Sequence, residues 1–438
     1  MPEAQAPPPS SAPAIEPRDY LRLVGLGALI GVPAGLVAAG FLALVHIVEN
    51  LLWTDLPDWL GHSSPPWYLV IGVPVVGALV VFAARTLLPG DGGHSPIGGL
   101  SVKPSPLAYG PGVLLAAVAT LSFGAVLGPE APLIALGSVV GVAVATLARV
   151  GERERMVLGL AGSFSAVSAL FGGPLVAGML LIEAGVGLGA ALIPTLLPGL
   201  VAAACGYTLF IGLGNWEGIQ TAGLELTGLP AYDGTSVGDL LLGVAVGLVT
   251  ALLIAGVRVL AVRTDALRGR GVGMAPLLLA GGLAVGLLAW SADLLGADSQ
   301  DVLFSGQAAL PNLVAEGSLG VVVVLIVAKG LAYAISLGSG FRGGPVFPAV
   351  FLGIAVAMVA VELFDLSITA AVAIGTAAGM AAMTKLLFSS VLLAALLVGS
   401  PGFDALPAAV LAASTAWMVR MAIDRRSGDA VSPAAGPP

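Results

Sequence analysis

Two ten-residue stretches decide how this chain is read: Gly128-Pro129-Glu130-Ala131-Pro132-Leu133-Ile134-Ala135-Leu136-Gly137 and Gly344-Pro345-Val346-Phe347-Pro348-Ala349-Val350-Phe351-Leu352-Gly353. Both read G-P-x-x-P-x-x-x-L-G, and they lie 216 positions apart. The same offset pairs Gly159 with Gly375, Ala161 with Ala377 and Leu170 with Leu386. Duplication explains a shared offset over a long stretch better than composition does. Gly-Pro before an apolar run is a helix start, because proline lacks the N–H that the first turn leaves unpaired anyway. Each start carries free N–H groups and about half a positive charge, so two aimed at one point favour an anion.

The surrounding composition places these helices in a membrane. Of 438 residues, 58% are hydrophobic and only 10% charged, with a mean hydropathy of +1.03. A soluble chain would be about 25% charged. At about 20 residues per span there is room for roughly ten passes. The apolar stretches fall at 21–53, 67–88, 111–127, 131–148, 156–182, 191–213, 237–262, 273–296, 317–337, 346–364, 368–399 and 404–423. Gly-Pro pairs and short lengths among them predict broken helices, which survive in a membrane only when buried in protein or lining a polar cavity. A net charge of -8 argues against nucleic acid. There is no phosphate-binding G-x-x-x-x-G-K-[ST], so no nucleotide site is expected. Three histidines and the single Cys205 give no metal-ligand spacing and no intrachain disulfide. No cofactor is expected.

Charge orders the loops. Segments 49–66, 213–239, 293–316, 362–367 and 400–406 hold Asp and Glu but no Lys or Arg. Arg18, Arg22, Arg85, Lys103, Arg149, Arg153, Arg155, Arg263, Arg268, Arg270, Arg420, Arg425 and Arg426 fall in the other loops and near the two ends. By the positive-inside rule both termini are cytoplasmic. The basic loop 149–155 and its offset mate, the acidic loop 362–367, then lie on opposite sides, so the duplication is inverted. The expected fold is therefore an all-α, polytopic membrane protein of two inverted-topology helical repeats, with broken helices meeting at a midplane anion site. The divisions are a disordered cytoplasmic tail at 1–17, repeats at 18–225 and 226–424, and a short cytoplasmic tail at 425–438.

Few side chains in the apolar stretches can carry chemistry. Glu130 sits at the first Gly-Pro start, where an ionised carboxylate is expensive unless helix N–H groups or water solvate it. It reads as a gate and proton acceptor that occupies the anion site itself until displaced or protonated. Glu183 ends an apolar helix and reads either as a second proton relay or as an interfacial acid. Lys329 and Arg342 flank the second Gly-Pro segment; they either raise the local potential for anions or snorkel to an interface. Gly92-Gly93-His94-Ser95-Pro96 is a polar turn whose His94 and Ser95 are donors for an ion, unless it is only a loop.

These segments resemble the CLC family of chloride channels and proton-coupled anion transporters, over about 21–423. Gly128-Pro129-Glu130-Ala131-Pro132 is similar to the family's G-R/K-E-G-P motif, Gly343-Gly344-Pro345-Val346-Phe347-Pro348 to its G-G-x-F-x-P motif, and Gly92-Gly93-His94-Ser95-Pro96 to its G-S-G-I-P motif. The branch most similar is a divergent bacterial one known only as ion-transport proteins. The resemblance implies a homodimer in the cell membrane with one pore per subunit, and makes Glu130 the external gating glutamate. It implies anion contacts from Gly93, His94, Ser95, Pro96, Gly128, Pro129, Ala131, Pro132, Gly343, Gly344, Val346, Phe347 and Pro348. Gly93 stands where the family has a pore serine, and Val346 where it usually has phenylalanine. Ala184, not Glu183, takes the internal proton-glutamate position. No counterpart of the family's final helix with its pore tyrosine is expected after Arg425-Arg426. Pro129 and Pro345 lack N–H groups, which leaves the amides of Glu130, Ala131, Val346 and Phe347 as the cradle.

The expected function is transport of small inorganic, chloride-like anions, with protons as a second cargo exchanged through Glu130. A passive anion channel is the alternative, and the chain is not expected to be an enzyme. An intramembrane serine protease using Ser339 with His46 as base is the remaining reading, and it needs the two within hydrogen-bond reach.

Overall fold

A computed structural model describes residues 16–186, 192–212, 224–232 and 234–426. Most of both expected tails, and the 213–223 part of the acidic loop between the expected repeats, lie outside them.

Among the described residues, fourteen principal helices divide into two sets of seven. The first set is α1 (Pro17–Asn50), α2 (Trp67–Leu87), α3 (Gly110–Leu121), α4 (Glu130–Leu147), α5 (Glu152–Leu170), α6 (Pro174–Ala184) and α7 (Ile193–Gly212). The second is α8 (Val237–Gly269), α9 (Met274–Asp293), α10 (Leu319–Ser339), α11 (Val346–Phe364), α12 (Ile368–Thr384), α13 (Leu387–Val398) and α14 (Leu406–Arg426). Short turns at Ser299–Val302 and Leu310–Ala315 sit between α9 and α10. Packing repeats from one set to the other. The α1–α7, α4–α5 and α5–α7 pairs are matched by α8–α14, α11–α12 and α12–α14. Starts obey the 216 offset at Glu130 and Val346, and again at Glu152 and Ile368.

Gly128 and Gly344 form an antiparallel bridge, N to O 2.7 Å one way and 2.5 Å the other. In such a pair a local two-fold axis passes between the partners. Because these partners are also repeat mates, the axis relating the two repeats passes through this point. It is the sole β-type pairing among the described residues.

Nine helical spans among the described residues are long and apolar enough to cross a membrane. Most of their apolar windows are 39% buried, as expected for helices facing lipid on one side; α4 reaches 61% and α11 78%. The two helices that begin at the Gly-Pro motifs therefore form the protein-lined centre. Small residues allow this. A side chain at Gly137 would strike the Gly162 carbonyl on α5, and one at Gly353, its mate, would strike the Gly375 carbonyl on α12. Close backbone approach is how membrane helices pack when no water drives them together.

Two of the apolar stretches are each two helices. The 156–182 stretch breaks at Phe171-Gly172-Gly173, and 368–399 breaks after Lys385, which takes a left-handed φ of 64°. Gly172-Gly173-Pro174 marks the first break, and a single charged residue, Lys385, marks the second. The two prolines also sit one place earlier than a first-turn reading puts them: Pro129 and Pro345 are the N-caps, and neither helix start has a capping side chain of its own. Their first amides are left for another partner.

Candidate functional site

For α11 that partner is Glu130. Its Oε1 accepts hydrogen bonds from the Val346 N–H at 3.1 Å and the Phe347 N–H at 2.9 Å. The carboxylate of one repeat thus sits on the helix start of the other, beside the two-fold axis. Glu130 has no exposed surface, and its Oε2 has no hydrogen-bond partner. That oxygen lies in space kept open by the two bridging glycines. A Cβ on either Gly128 or Gly344 would collide with it.

Other contacts stiffen this start. The Tyr333 hydroxyl, fully buried on α10, donates to the Pro345 carbonyl at 2.6 Å. The Phe347 ring stacks on Phe171 at 5.8 Å between centroids. Ser336 accepts the Val126 N–H at 3.0 Å, tying α10 to the segment that leads into Gly128. Sequence reading passed over Tyr333. A lone phenol in an apolar helix, eleven positions before Gly344-Pro345, was the available signal.

A small cavity of about 10 Å³ adjoins the start of α4, lined by Gly92, Gly93, His94, Val113, Ala131, Pro132, Ala135, Arg342 and Gly343. It has room for about one water-sized particle. Of the turn expected to touch an ion, Gly93 and His94 reach this cavity. Ser95 is exposed outside its lining, and Pro96 is buried but opens only a short 3-10 turn, Pro96–Gly98. Pro348 is buried inside the first turn of α11. Arg342 does not snorkel. It is buried, its Nε donates to the Asp91 carbonyl at 3.0 Å, and its guanidinium pairs with the Asp91 carboxylate. Burial alone would raise the Asp91 carboxyl. Hydrogen bonds and charge from Arg85 and Arg342 outweigh it and hold Asp91 below the usual carboxylate range.

Two expected residues lie elsewhere. Lys329 is fully buried, but its ammonium donates to the Asp301, Val302, Leu303 and Phe304 carbonyls at 2.9–3.3 Å and lies 4.6 Å from the centroid of the Phe351 ring. With four carbonyls around it, it pins the Ser299–Val302 turn to α10 rather than presenting charge to an ion. Glu183 accepts from the Phe388 N–H at 2.9 Å, the Ser389 N–H at 2.7 Å and the Ser389 hydroxyl at 2.5 Å. It caps the start of α13. Lys385, between α12 and α13, pairs with Asp424 on α14. The protease reading has no geometry behind it: His46 bonds Asn50 at 3.0 Å, while the partnerless Ser339 hydroxyl is buried beside Gly281.

Residues 93–420 match the family model described as the voltage gated chloride channel. That covers most of the chain and both Gly-Pro motifs. The chain belongs to the CLC family. Its curated relatives include the "Putative ion-transport protein YfeO" of Escherichia coli O1:K1, 30% identical over 343 residues and covering 75% of this chain and 76% of that one. The Shigella boydii serotype 4 protein of that name is 29% identical over the same shares. Among solved structures, a slow cyanobacterial Cl-/H+ antiporter superposes with a TM-score of 0.71 at 16% identity, over 95% of this chain and 99% of that one. A CLC-type fluoride/proton antiporter gives 0.71 at 22% identity, over 92% and 96%. These two establish the CLC fold. As a CLC protein with nine apolar spans among its described residues, the chain is a multi-pass membrane protein for anion transport.

Proposed function

We propose that this CLC protein moves a small inorganic anion through the space Glu130 occupies, and that Glu130 is both the gate and the proton acceptor. The observation that carries this reading is the Glu130 carboxylate on the Val346 and Phe347 amides. A carboxylate oxygen on two helix N–H groups is chemically an anion in an anion site. A transported anion competes for the same amides by offering the same charge. The partnerless Oε2 is where a proton binds without breaking a bond. Protonation removes the charge that the helix dipole holds, and so frees the side chain to swing. Nothing in this cycle makes or breaks a covalent bond beyond that to the proton, so the protein acts as a carrier and not an enzyme. It works in the cell membrane with both termini cytoplasmic, and as a homodimer.

Paired anion and proton flux from purified protein in liposomes tests the reading, with Glu130→Gln alongside. Anion efflux should drive protons uphill in the native protein and lose that drive in the variant. Absence of anion flux across a panel of halides and nitrate would sink it. A passive channel is the second reading, favoured by one observation: Glu183 is fully engaged as the cap of α13, and Ala184 beside it cannot carry a proton. Anion flux with no proton movement in the native protein would select it.

A further inference from the structure

We propose that Asp91 is a tethered competitor at a second anion site, formed by the buried guanidiniums of Arg85 and Arg342, and that a small inorganic anion takes its place when its side chain swings out. The inference rests on the anion-transport reading, but on different residues. Arg85 holds Asp91 through two bonds, Nε to Oδ1 at 2.8 Å and Nη2 to Oδ2 at 2.9 Å, and Arg342 adds its own pairing to Oδ2. The arginine side chains are 4% and 6% exposed, whereas that of Asp91 is 56% exposed. The cations are fixed in the protein, and the anion between them is at the surface.

The arginines keep their positions without the carboxylate. Arg85 Nη1 donates to the Gly340 carbonyl at 2.8 Å, beyond the end of α10. Arg342 is held by its Nε on the Asp91 main-chain carbonyl and by its own N–H on the Thr120 hydroxyl at 3.1 Å. Three guanidinium donors therefore converge on one point whichever anion fills it, the geometry that binds carboxylates and small oxyanions most firmly. Two arginines face one carboxylate, so a positive charge is left over. Arg268 adds to it nearby, with Nη2 on the Ser339 carbonyl at 3.1 Å and its own Asp265 no closer than 3.6 Å. The field registers on His94, held below its usual value by burial first and then by Arg342 and Lys103.

Position gives the site its use. Arg342 lines the cavity shared with Ala131, Pro132 and Gly343, next to the first turn of α4. An anion released from the Glu130 amides on this side meets Arg342 next. Asp91 then does for this mouth what Glu130 does for the centre, keeping the cations paired between passages and setting the anion concentration needed to enter.

The test is initial flux in liposomes against chloride and then fluoride concentration. Asp91→Asn removes the competing charge but keeps an acceptor oxygen, and the half-saturating concentration should fall by about tenfold. Arg342→Gln leaves the two-bond Arg85–Asp91 pair in place, and half-saturation should rise. An unchanged or higher value in a folded Asp91→Asn protein, or an unchanged value in Arg342→Gln, overturns the proposal. The second variant decides alone if the first does not fold. Calorimetric chloride and fluoride titration, repeated on Glu130→Gln, separates this site from the central one. There the Asp91→Asn shift should persist with no flux at all, and its absence from the titration counts against Asp91 whatever becomes of the transport reading.

Discussion

Glu130 and Glu183 both reach from the first repeat to a helix start of the second, and the way each is held differs. Glu130 is fully buried, with one oxygen on two amides and the other on nothing. Glu183 is partly exposed and has both oxygens filled, one of them by a serine hydroxyl as well as an amide. Placing an acid on a helix start is the same device in both. What differs is satisfaction. A carboxylate with both oxygens engaged rivets two repeats together, while one with an idle oxygen in a glycine-walled space keeps a site for a proton. Asp91 lies between these limits, doubly clasped by arginines yet half in solvent.

The largest effect separating the two glutamates should come from Glu130→Gln, with complete loss of proton drive in paired flux. Glu183→Gln should leave the proton-to-anion ratio where it was, and a change there would break the comparison. Gly344→Ala comes next. It fills the space of the idle oxygen, so it should displace Glu130 and lower stability by about 1–3 kcal/mol in thermal unfolding. Combined with Glu130→Ala, that cost should shrink, because the colliding atoms are gone. Removing the α13 cap with Glu183→Ala should cost about 1–2 kcal/mol, read in the same assay, with half-saturation for anion unaffected. Tyr333→Phe should cost about 1 kcal/mol by stripping the Pro345 carbonyl of its donor. Smallest is the acid response of the Asp91 clasp. A carboxyl held below its usual value contributes stability above the unfolded pKa of about 3.9, and that contribution is lost as pH falls through the lowered folded value. Native protein should therefore lose stability at acid pH in excess of Asp91→Asn.

How much of this was visible in the residues varies with range. The Gly-Pro pair, its offset and Glu130 between the glycines were legible because helix starts and duplication are written locally. The break at Phe171 was marked as well, by Gly172-Gly173-Pro174, whereas the one at Lys385 rests on a single residue inside an otherwise apolar stretch. Lys329 looked like an electrostatic flank because its sequence neighbours are apolar; the carbonyls that absorb it come from a turn some twenty-five positions earlier. Asp91 hid among Gly90, Gly92 and Gly93, where an acid reads as turn chemistry. Its arginines come from α2 and from the approach to α11.

By itself the sequence determined a multi-pass helical protein, its inverted duplication, and the two helix starts on which an anion would rest. These follow from hydropathy, loop charge and the missing proline N–H, all properties of a residue and its neighbours. Only the tertiary structure decided that each carboxylate serves the other repeat, that Glu183 is a cap, and that Asp91 holds two arginines at the mouth. Apart from the Arg85–Asp91 pair, such contacts join positions more than two hundred residues apart, and whether a buried oxygen is filled or idle depends on groups that no local pattern brings together.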